Sequence, residues 1–239
     1  MSESPAPATP EAPKPTIAVQ LGPIVLRGWW AGLFLLTVLA VCVRAIIKNK
    51  PWIDPSPMWI AGALWFWFEI YWTVKAKEAA ASKSAESPKS RAVHTRLFMA
   101  AILLFFLGVP GLNGTVMPTA RWVSPVGIAI EAFGLWFAIL ARKTLGRHWS
   151  GELTVKEGHE IVKTGPYRFI RHPIYTGILS MALGTAVISN SWHGFIGFAV
   201  MSFAYARKIR MEERWLVDAF GEPYSDYRKT TWALVPGIL

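Results

Sequence analysis

Apolar residues in this chain run together in long stretches separated by short basic segments, a pattern that predicts membrane-embedded helices. Gly28 to Val43 is uncharged and bounded by Arg27 and Arg44, whose long side chains reach the headgroups and complete a first span. Pro57 to Val74 gives a second, with Trp59, Trp65, Trp67, Tyr71 and Trp72 as interfacial aromatics and Glu69 as its one charge. Leu97 to about Val109 begins a third, ending near Pro110 and Gly111, with the uncharged Asn113 to Pro118 at the opposite surface. Trp122 to Ala141 is the fourth, interrupted only by Glu131. Pro173 to Ala206 then runs 34 residues without Asp, Glu, Lys or Arg, well beyond the ~20 that one crossing needs. The turn formers Ser189-Asn190-Ser191-Trp192-His193-Gly194 break it into two halves, predicting a helical hairpin.

The fold class that follows is an all-α integral membrane protein: a polytopic helical bundle of four spans plus a carboxy-terminal helical hairpin, with a small cytosolic cofactor-binding segment. Residues 1–22 form a Pro/Ala/Ser/Thr-rich tail expected to be disordered, residues 23–143 carry helices one to four, and residues 144–239 form a cofactor-binding region containing the hairpin 173–206 and a cytosolic helix. Between Thr144 and His172 the alternation in Glu152 to Lys156 and Ile161 to Lys163 predicts two short strands.

Composition sharpens this picture. Hydrophobic residues are 53% of the 239 and charged ones 17%, so lipid is the expected solvent. The formal charge of +10 sits beside the apolar runs, where anionic headgroups account for it without nucleic acid. Counted by alternating sides, Lys and Arg number 15 on one face and 4 on the other, which places both termini, residues 75–96 and residues 142–171 in the cytoplasm. The absence of a signal peptide fits a prokaryotic cytoplasmic membrane. Cys42 is the single cysteine, which excludes an internal disulfide and a thiolate zinc site, and no metal site is predicted.

G-x-G-x-x-G, Walker A, H-E-x-x-H and G-x-S-x-G motifs are all missing, and strands for a Rossmann domain have no room. The polar residues that remain cluster at the predicted cytosolic ends of the hairpin. Arg171-His172-Pro173 enters it with proline at a position that helix starts tolerate. Arg207-Lys208-Ile209-Arg210-Met211-Glu212-Glu213-Arg214 continues a helix out of it, with Arg207, Arg210 and Arg214 on one face. Read alone, that helix is also consistent with a basic clamp on anionic lipid.

Three blocks together resemble the isoprenylcysteine carboxyl methyltransferase family and its phospholipid methyltransferase relatives. They are Leu145-Gly146-Arg147-His148-Trp149-Ser150, then Gly165-Pro166-Tyr167-Arg168-Phe169-Ile170-Arg171-His172-Pro173-Ile174-Tyr175-Thr176-Gly177, and last Glu212-Glu213, Leu216, Phe220-Gly221, Tyr224 and Tyr227. The resemblance implies a membrane enzyme with S-adenosylmethionine bound at the cytosolic ends of the last helices. Tyr167, Arg171, His172, Pro173, Tyr175 and Gly177 are then expected in the cofactor cradle, Glu212 and Glu213 on its ribose or ammonium, and Arg210, with Arg207, orienting the acceptor. The expected acceptor is an amphiphilic or lipidated molecule taken from the bilayer, with the carboxylate of an isoprenylcysteine foremost and a phospholipid amine or thiol as alternative. An arginine fork suits the former and a carboxylate the latter. A nicotinamide-dependent sterol-type reductase and a non-enzymatic scaffold remain open, as does a purely capping role for His172 and a topological one for Arg168 and Arg171. Glu69 and Glu131 are unexplained by the motifs.

Overall fold

The computed structural model describes residues 18–21, 24–27, 57–76, 87–146 and 161–237. The first predicted span, the charged half of the loop after residue 76 and the motif stretch 147–160, with His148, His159 and the strand expected at 152–156, lie outside the described residues. Strands β1 (Ala18–Leu21) and β2 (Ile24–Arg27) pair antiparallel, so the last part of the 1–22 tail is a strand and not coil. The other regular elements among the described residues are helical: α1 (Pro57–Ala76), α2 (Pro88–Phe106), α3 (Val123–Leu145), a 3-10 turn at Gly165–Arg168, α4 (Pro173–Ser189), α5 (Trp192–Phe220) and α6 (Glu222–Thr230).

Each boundary has a local cause. Helix α2 starts nine residues before the apolar run beginning at Leu97, because Ser87 caps it by accepting from Ser90 N at 3.3 Å and Pro88 takes its first turn. Its polar opening turns therefore project beyond the apolar part. The hairpin breaks where the turn formers put it. Asn190 ends α4 in the left-handed region at φ 44°, a conformation that asparagine tolerates, and Ser191 caps α5 by accepting from Gly194 N. Residues 112–117 are stitched to this turn: Asn190 Nδ2 donates to Met117 O at 3.0 Å, Met117 N donates to Asn190 Oδ1 at 2.8 Å, and Trp192 N donates to Gly114 O at 3.2 Å. The α2–α3 connection and the hairpin turn thus close one end of the bundle, leaving the polar motifs at the other.

Helix α3 packs in an order inverted relative to a water-soluble helix. On α3 the buried residues include the small Gly127, Gly134, Ala138 and Ala141 beside Glu131 and Arg142, while Phe133, Trp136 and Leu140 face outward. Large apolar residues outside and small ones inside are what lipid on the outside favours, since helices there associate by close backbone approach. Helix α3 is the one described helix long and apolar enough to cross a membrane by length and composition, and α4 is a shorter apolar helix.

The tightest contact is the antiparallel α3–α4 seam. A Cβ on Gly134 would lie 2.5 Å from Gly177 O, one on Gly177 would lie 2.7 Å from Ala138 N, and one on Gly184 would lie 2.6 Å from Gly127 O. Helix α1 packs across both, with Trp65 Nε1 donating to Thr185 Oγ1 at 2.9 Å, Trp65 meeting Phe68 edge to face and Phe68 stacking on Trp72. Helix α5 rests on α2, where Gly197 admits the Phe105 ring. The strand expected at Ile161 to Lys163 is not formed, and those residues carry no regular structure. Their side chains are engaged otherwise: Val162 packs on the core and Lys163 Nζ lies 5.7 Å from the centre of the Tyr227 ring.

Candidate functional site

The open end of the bundle is organised by two adjacent carboxylates on α5. Where that helix leaves the apolar region, Glu212 and Glu213 point at the entry to α4, 40 residues back in the chain. Glu213 Oε1 accepts from Arg171 Nε at 2.6 Å and lies 3.2 Å from His172 Nε2, and its Oε2 is 2.8 Å from Arg228 Nε. Glu212 Oε1 accepts from Tyr175 OH at 2.5 Å and is 3.9 Å from Lys208 Nζ, and its Oε2 is 3.5 Å from His172 Nδ1. His172 thus bridges the two carboxylates with both ring nitrogens. It occupies the N-cap position of α4, but its side chain makes no capping bond, so the capping reading does not apply.

Burial works against charge on the His172 ring, yet hydrogen bonds and charge from Glu212 and Glu213 outweigh it and raise the pKa above the ordinary histidine value. Both ring nitrogens face acceptors, which fits the imidazolium form donating to each. Burial likewise works to raise Glu213, but the His172 hydrogen bond and the Arg171 guanidinium overcome it and hold the carboxyl down to about 2. Glu212 is also lowered, burial again being outweighed, here by the His172 hydrogen bond and the Lys208 charge. Such a buried network is favourable only with its partners complete, and the completeness is uneven. Glu213 is matched by three cationic partners. Two of Glu212's contacts are long, leaving it acceptor capacity.

A carboxy-terminal strap covers the network. Arg171 N donates to Trp232 O at 2.8 Å, His172 N to Ala233 O at 3.0 Å, and Trp232 N to Phe169 O at 2.9 Å, forming a short parallel bridge. Thr176 Oγ1 donates to Leu234 O at 2.7 Å, and the Arg171 guanidinium also donates to Thr231 O and to Arg228 O. Beneath it Tyr227 OH donates to Tyr167 O at 2.5 Å, so α6 is held to the 3-10 turn. Aromatic faces line the interior: His172 stacks on Tyr175 at 5.6 Å between centres, and Tyr175 meets Tyr205 at 4.9 Å.

The structure brings Arg171, His172, Tyr175, Glu212 and Glu213 together, with Tyr167 buried behind them. Three expected residues are placed differently. Gly177 faces α3 in the seam and not a cofactor cradle, because its missing Cβ is what lets Gly134 and Ala138 approach. Pro173 is fully buried and starts the helix. Arg207 is turned to α2, its Nη2 donating to Ser90 Oγ at 2.7 Å, while Arg210 is exposed on the same helix. Arg142, unmarked by any motif, is buried at the end of α3 and donates to Gly146 O at 2.9 Å and Lys75 O at 3.1 Å, tying α1 and α3 beneath Tyr167. A lone arginine in the last helical turn carries no distinguishing spacing. Arg228 was likewise unmarked, although Tyr224 and Tyr227 beside it were.

The chemistry of this donor set fits a cationic cofactor: a carboxylate with spare acceptor capacity, and the tilted rings of Tyr175 and Tyr205, whose faces suit a sulfonium or ammonium. Among the described residues no group of three His, Cys, Asp or Glu is arranged to hold a metal.

Comparison with known proteins bears on the same region. A family model described as phospholipid methyltransferase matches residues 122–223. Protein-S-isoprenylcysteine O-methyltransferase of Dictyostelium discoideum is 29% identical over 150 residues, covering 61% of this chain and 63% of that protein. Protein-S-isoprenylcysteine O-methyltransferase A of Arabidopsis thaliana is 32% identical over 144 residues, covering 59% of this chain and 68% of that protein. The chain therefore spans somewhat over three fifths of the length of these curated relatives. The solved structure of a eukaryotic intramembrane Ras methyltransferase, an isoprenylcysteine carboxyl methyltransferase, superposes with a TM-score of 0.54 over 87% of this chain and 75% of that one, at 19% identity. The helical membrane fold is shared.

Proposed function

This chain belongs to the isoprenylcysteine carboxyl methyltransferase family, and from that premise we propose that it methylates the carboxylate of an isoprenylcysteine-type acceptor using S-adenosylmethionine. The observation that carries this reading is the Glu212–His172–Glu213 bridge under the carboxy-terminal strap. It fixes two helix ends that are distant in sequence and holds a carboxylate and aromatic rings ready on one side. When bound, S-adenosylmethionine supplies an electrophilic methyl group on a sulfonium.

Displacement at such a methyl needs in-line approach and a water-poor setting more than an acid or base, so the protein's task is positioning. Tyr175 and Glu212 hold the cofactor's cationic portion. His172, Arg171 and Glu213 keep the α4 and α5 ends in register, and the strap residues Thr231 to Leu234 exclude water. Arg210, exposed beyond the membrane end of α5, orients the acceptor carboxylate by a charge-assisted fork. The acceptor enters laterally from the cytosolic leaflet, with both termini of the chain on that side, and the outward apolar faces of α3 and of the hairpin helices supply the lipid-facing wall.

A second reading, methylation of a phospholipid amine, is favoured by the description of the family model that matches residues 122–223 and by the engagement of Arg207 with Ser90. Transfer of labelled methyl from S-adenosylmethionine by purified protein in liposomes separates them. Label on N-acetyl-S-farnesylcysteine, recovered as a base-labile ester, supports the first reading; base-stable label on phosphatidylethanolamine replaces it with the second.

A further inference from the structure

The strap that covers the site is apolar in sequence. From Trp232 to Leu239 it reads Trp-Ala-Leu-Val-Pro-Gly-Ile-Leu, in which the Trp232 indole is the one side chain able to form a hydrogen bond. Its backbone is bonded to the entry of α4, yet its larger side chains point away from the protein: Trp232 is 46% exposed and Val235 40%. Phe169, whose carbonyl accepts from Trp232 N at 2.9 Å, is 59% exposed. Three large apolar side chains are thus presented outward from one short strip of backbone, and such a grouping marks a surface that meets something other than water.

What they meet follows from their depth. The strap descends along the first turn of α4, the carbonyls of Trp232, Ala233 and Leu234 accepting in turn from Arg171 N, His172 N and Thr176 Oγ1. Thr176 stands about 5 Å into the helix. Helix α4 has 17 residues, about 26 Å, so when centred in a hydrocarbon core of ~30 Å it has both ends at or inside the boundary. The register of the seam gives the same level independently. Gly177 is set against Ala138, which puts Thr176 and Leu234 beside the stretch of α3 where the outward-facing Trp136 and Leu140 give way to the exposed Lys143. A change from apolar to basic along an outer helix face marks the headgroup boundary. Arg168 repeats the pattern beside the strap: it is exposed, with its guanidinium 5.5 Å from the centre of the Phe169 ring, an aromatic body below a cation that can reach phosphate.

We propose that Phe169, Trp232 and Val235 are seated in the boundary between headgroups and acyl chains, and that the bilayer itself holds the strap down over Arg171 and His172. The occupant of this surface is lipid, because the three side chains lie at the depth where the α3 surface changes character, a match that a protein partner would leave unexplained. Tryptophan suits the position, its ring apolar and its N–H free to meet a headgroup. The backbone bonds set where the strap lies, and burial of its side chains in lipid keeps it there. The cover of the site is thereby anchored in the membrane, whichever acceptor is methylated beneath it.

The test places the full chain in nanodiscs of phosphatidylcholine and phosphatidylglycerol. With Cys42, the single cysteine, replaced by serine, a nitroxide is attached through Val235→Cys and, in a second chain, through Lys229→Cys on α6, where the native side chain is 74% exposed. The label at 235 is expected to collide several-fold more with oxygen than with a water-soluble nickel chelate, and the label at 229 to show the reverse. A label at 235 as open to the chelate as the one at 229, or shielded from both reagents by protein, overturns the proposal. The holding role is read separately by trypsin. Trp232→Glu leaves the backbone bonds of the strap available, yet cleavage after Arg228 or Lys229 should become on the order of tenfold faster, because the rate follows the population of the opened strap. Trp232→Phe, which keeps an apolar ring, should be cut near the wild-type rate. A Trp232→Glu chain cut no faster than the wild type shows that protein contacts alone hold the strap and refutes the anchoring.

Discussion

Replacing Gly177 by alanine separates a cofactor-cradle role from a packing role. The new Cβ would lie 2.7 Å from Ala138 Cβ, 2.7 Å from Ala138 N and 2.7 Å from Gly134 O. Two of these three are backbone atoms of α3, which cannot rotate aside, so the helices must part by about 0.7 Å to reach ordinary contact. A gap of that size forfeits a quarter to a half of each dispersion well along the seam, and forced overpacking costs roughly 1–3 kcal/mol. For a chain of this length that corresponds to a fall in Tm of about 2–12 °C, measured by thermal unfolding in detergent. Ala138→Gly in the same chain removes only one of the three contacts and restores only part of the loss. Gly114→Ala, whose Cβ would meet nothing closer than Trp192 Cδ1 at 3.5 Å, serves as the control and stays within about 0.5 kcal/mol. Unchanged melting of Gly177→Ala with weakened S-adenosylhomocysteine binding would refute the packing account and return Gly177 to the cofactor cradle.

The ionic network yields further expectations. Glu213→Ala leaves Arg171 and Arg228 without their carboxylate, a loss of about 3–5 kcal/mol for a buried pair broken on one side, and limited proteolysis should then cut the strap near Trp232 in the variant first. Stability should be greatest in mildly acid solution. Glu213, depressed to about 2, contributes fully above the ordinary glutamate range and loses its contribution as pH falls toward 2. His172, raised, contributes fully below the ordinary histidine value near 6.5 and loses its contribution as pH rises through its own higher value. Melting curves from pH 4 to 9 test the sign, and a His172→Gln chain should lose the alkaline decline. Arg207→Ala and Ser90→Ala should each destabilise by about 1 kcal/mol and be non-additive in a double-mutant cycle. Arg210→Ala should instead leave melting unaltered, abolish transfer to a carboxylate acceptor and spare transfer to an amine.

Much of the architecture was legible in the sequence because it depends on local signals. The turn formers around Asn190 and Ser191 broke the 34-residue apolar run and the basic helix did continue out of the hairpin to Phe220, whereas the helix read as beginning at Leu97 starts at Pro88, where the Ser87 cap lies in a polar stretch outside the apolar run. The motif residues Arg171, His172, Tyr175, Glu212 and Glu213 do meet. Which atom pairs with which was not legible, since this depends on how α4 and α5 are rotated about their axes, and both are set by glycines packing against other helices. The same cause underlies the misplacement of Gly177: a glycine after R-H-P-x-Y reads as part of the motif, while its neighbours across the seam are more than 30 residues away. Arg142 and Arg228 escaped for a related reason, as Lys75 O and the Glu213 carboxylate that they reach are remote from them in sequence. The strand expected at Ile161 to Lys163 failed because alternation reports two-faced exposure without identifying the partner, which here is α6.

The central claim is that the bridged carboxylates at the ends of α4 and α5 build a site for S-adenosylmethionine, and isothermal titration of the detergent-solubilised chain with S-adenosylhomocysteine, with NADPH in parallel, tests it most directly. The account predicts micromolar binding of S-adenosylhomocysteine that is lost in a Glu212→Ala, Glu213→Ala chain; binding of NADPH alone, or of neither ligand by the folded wild type, would contradict it.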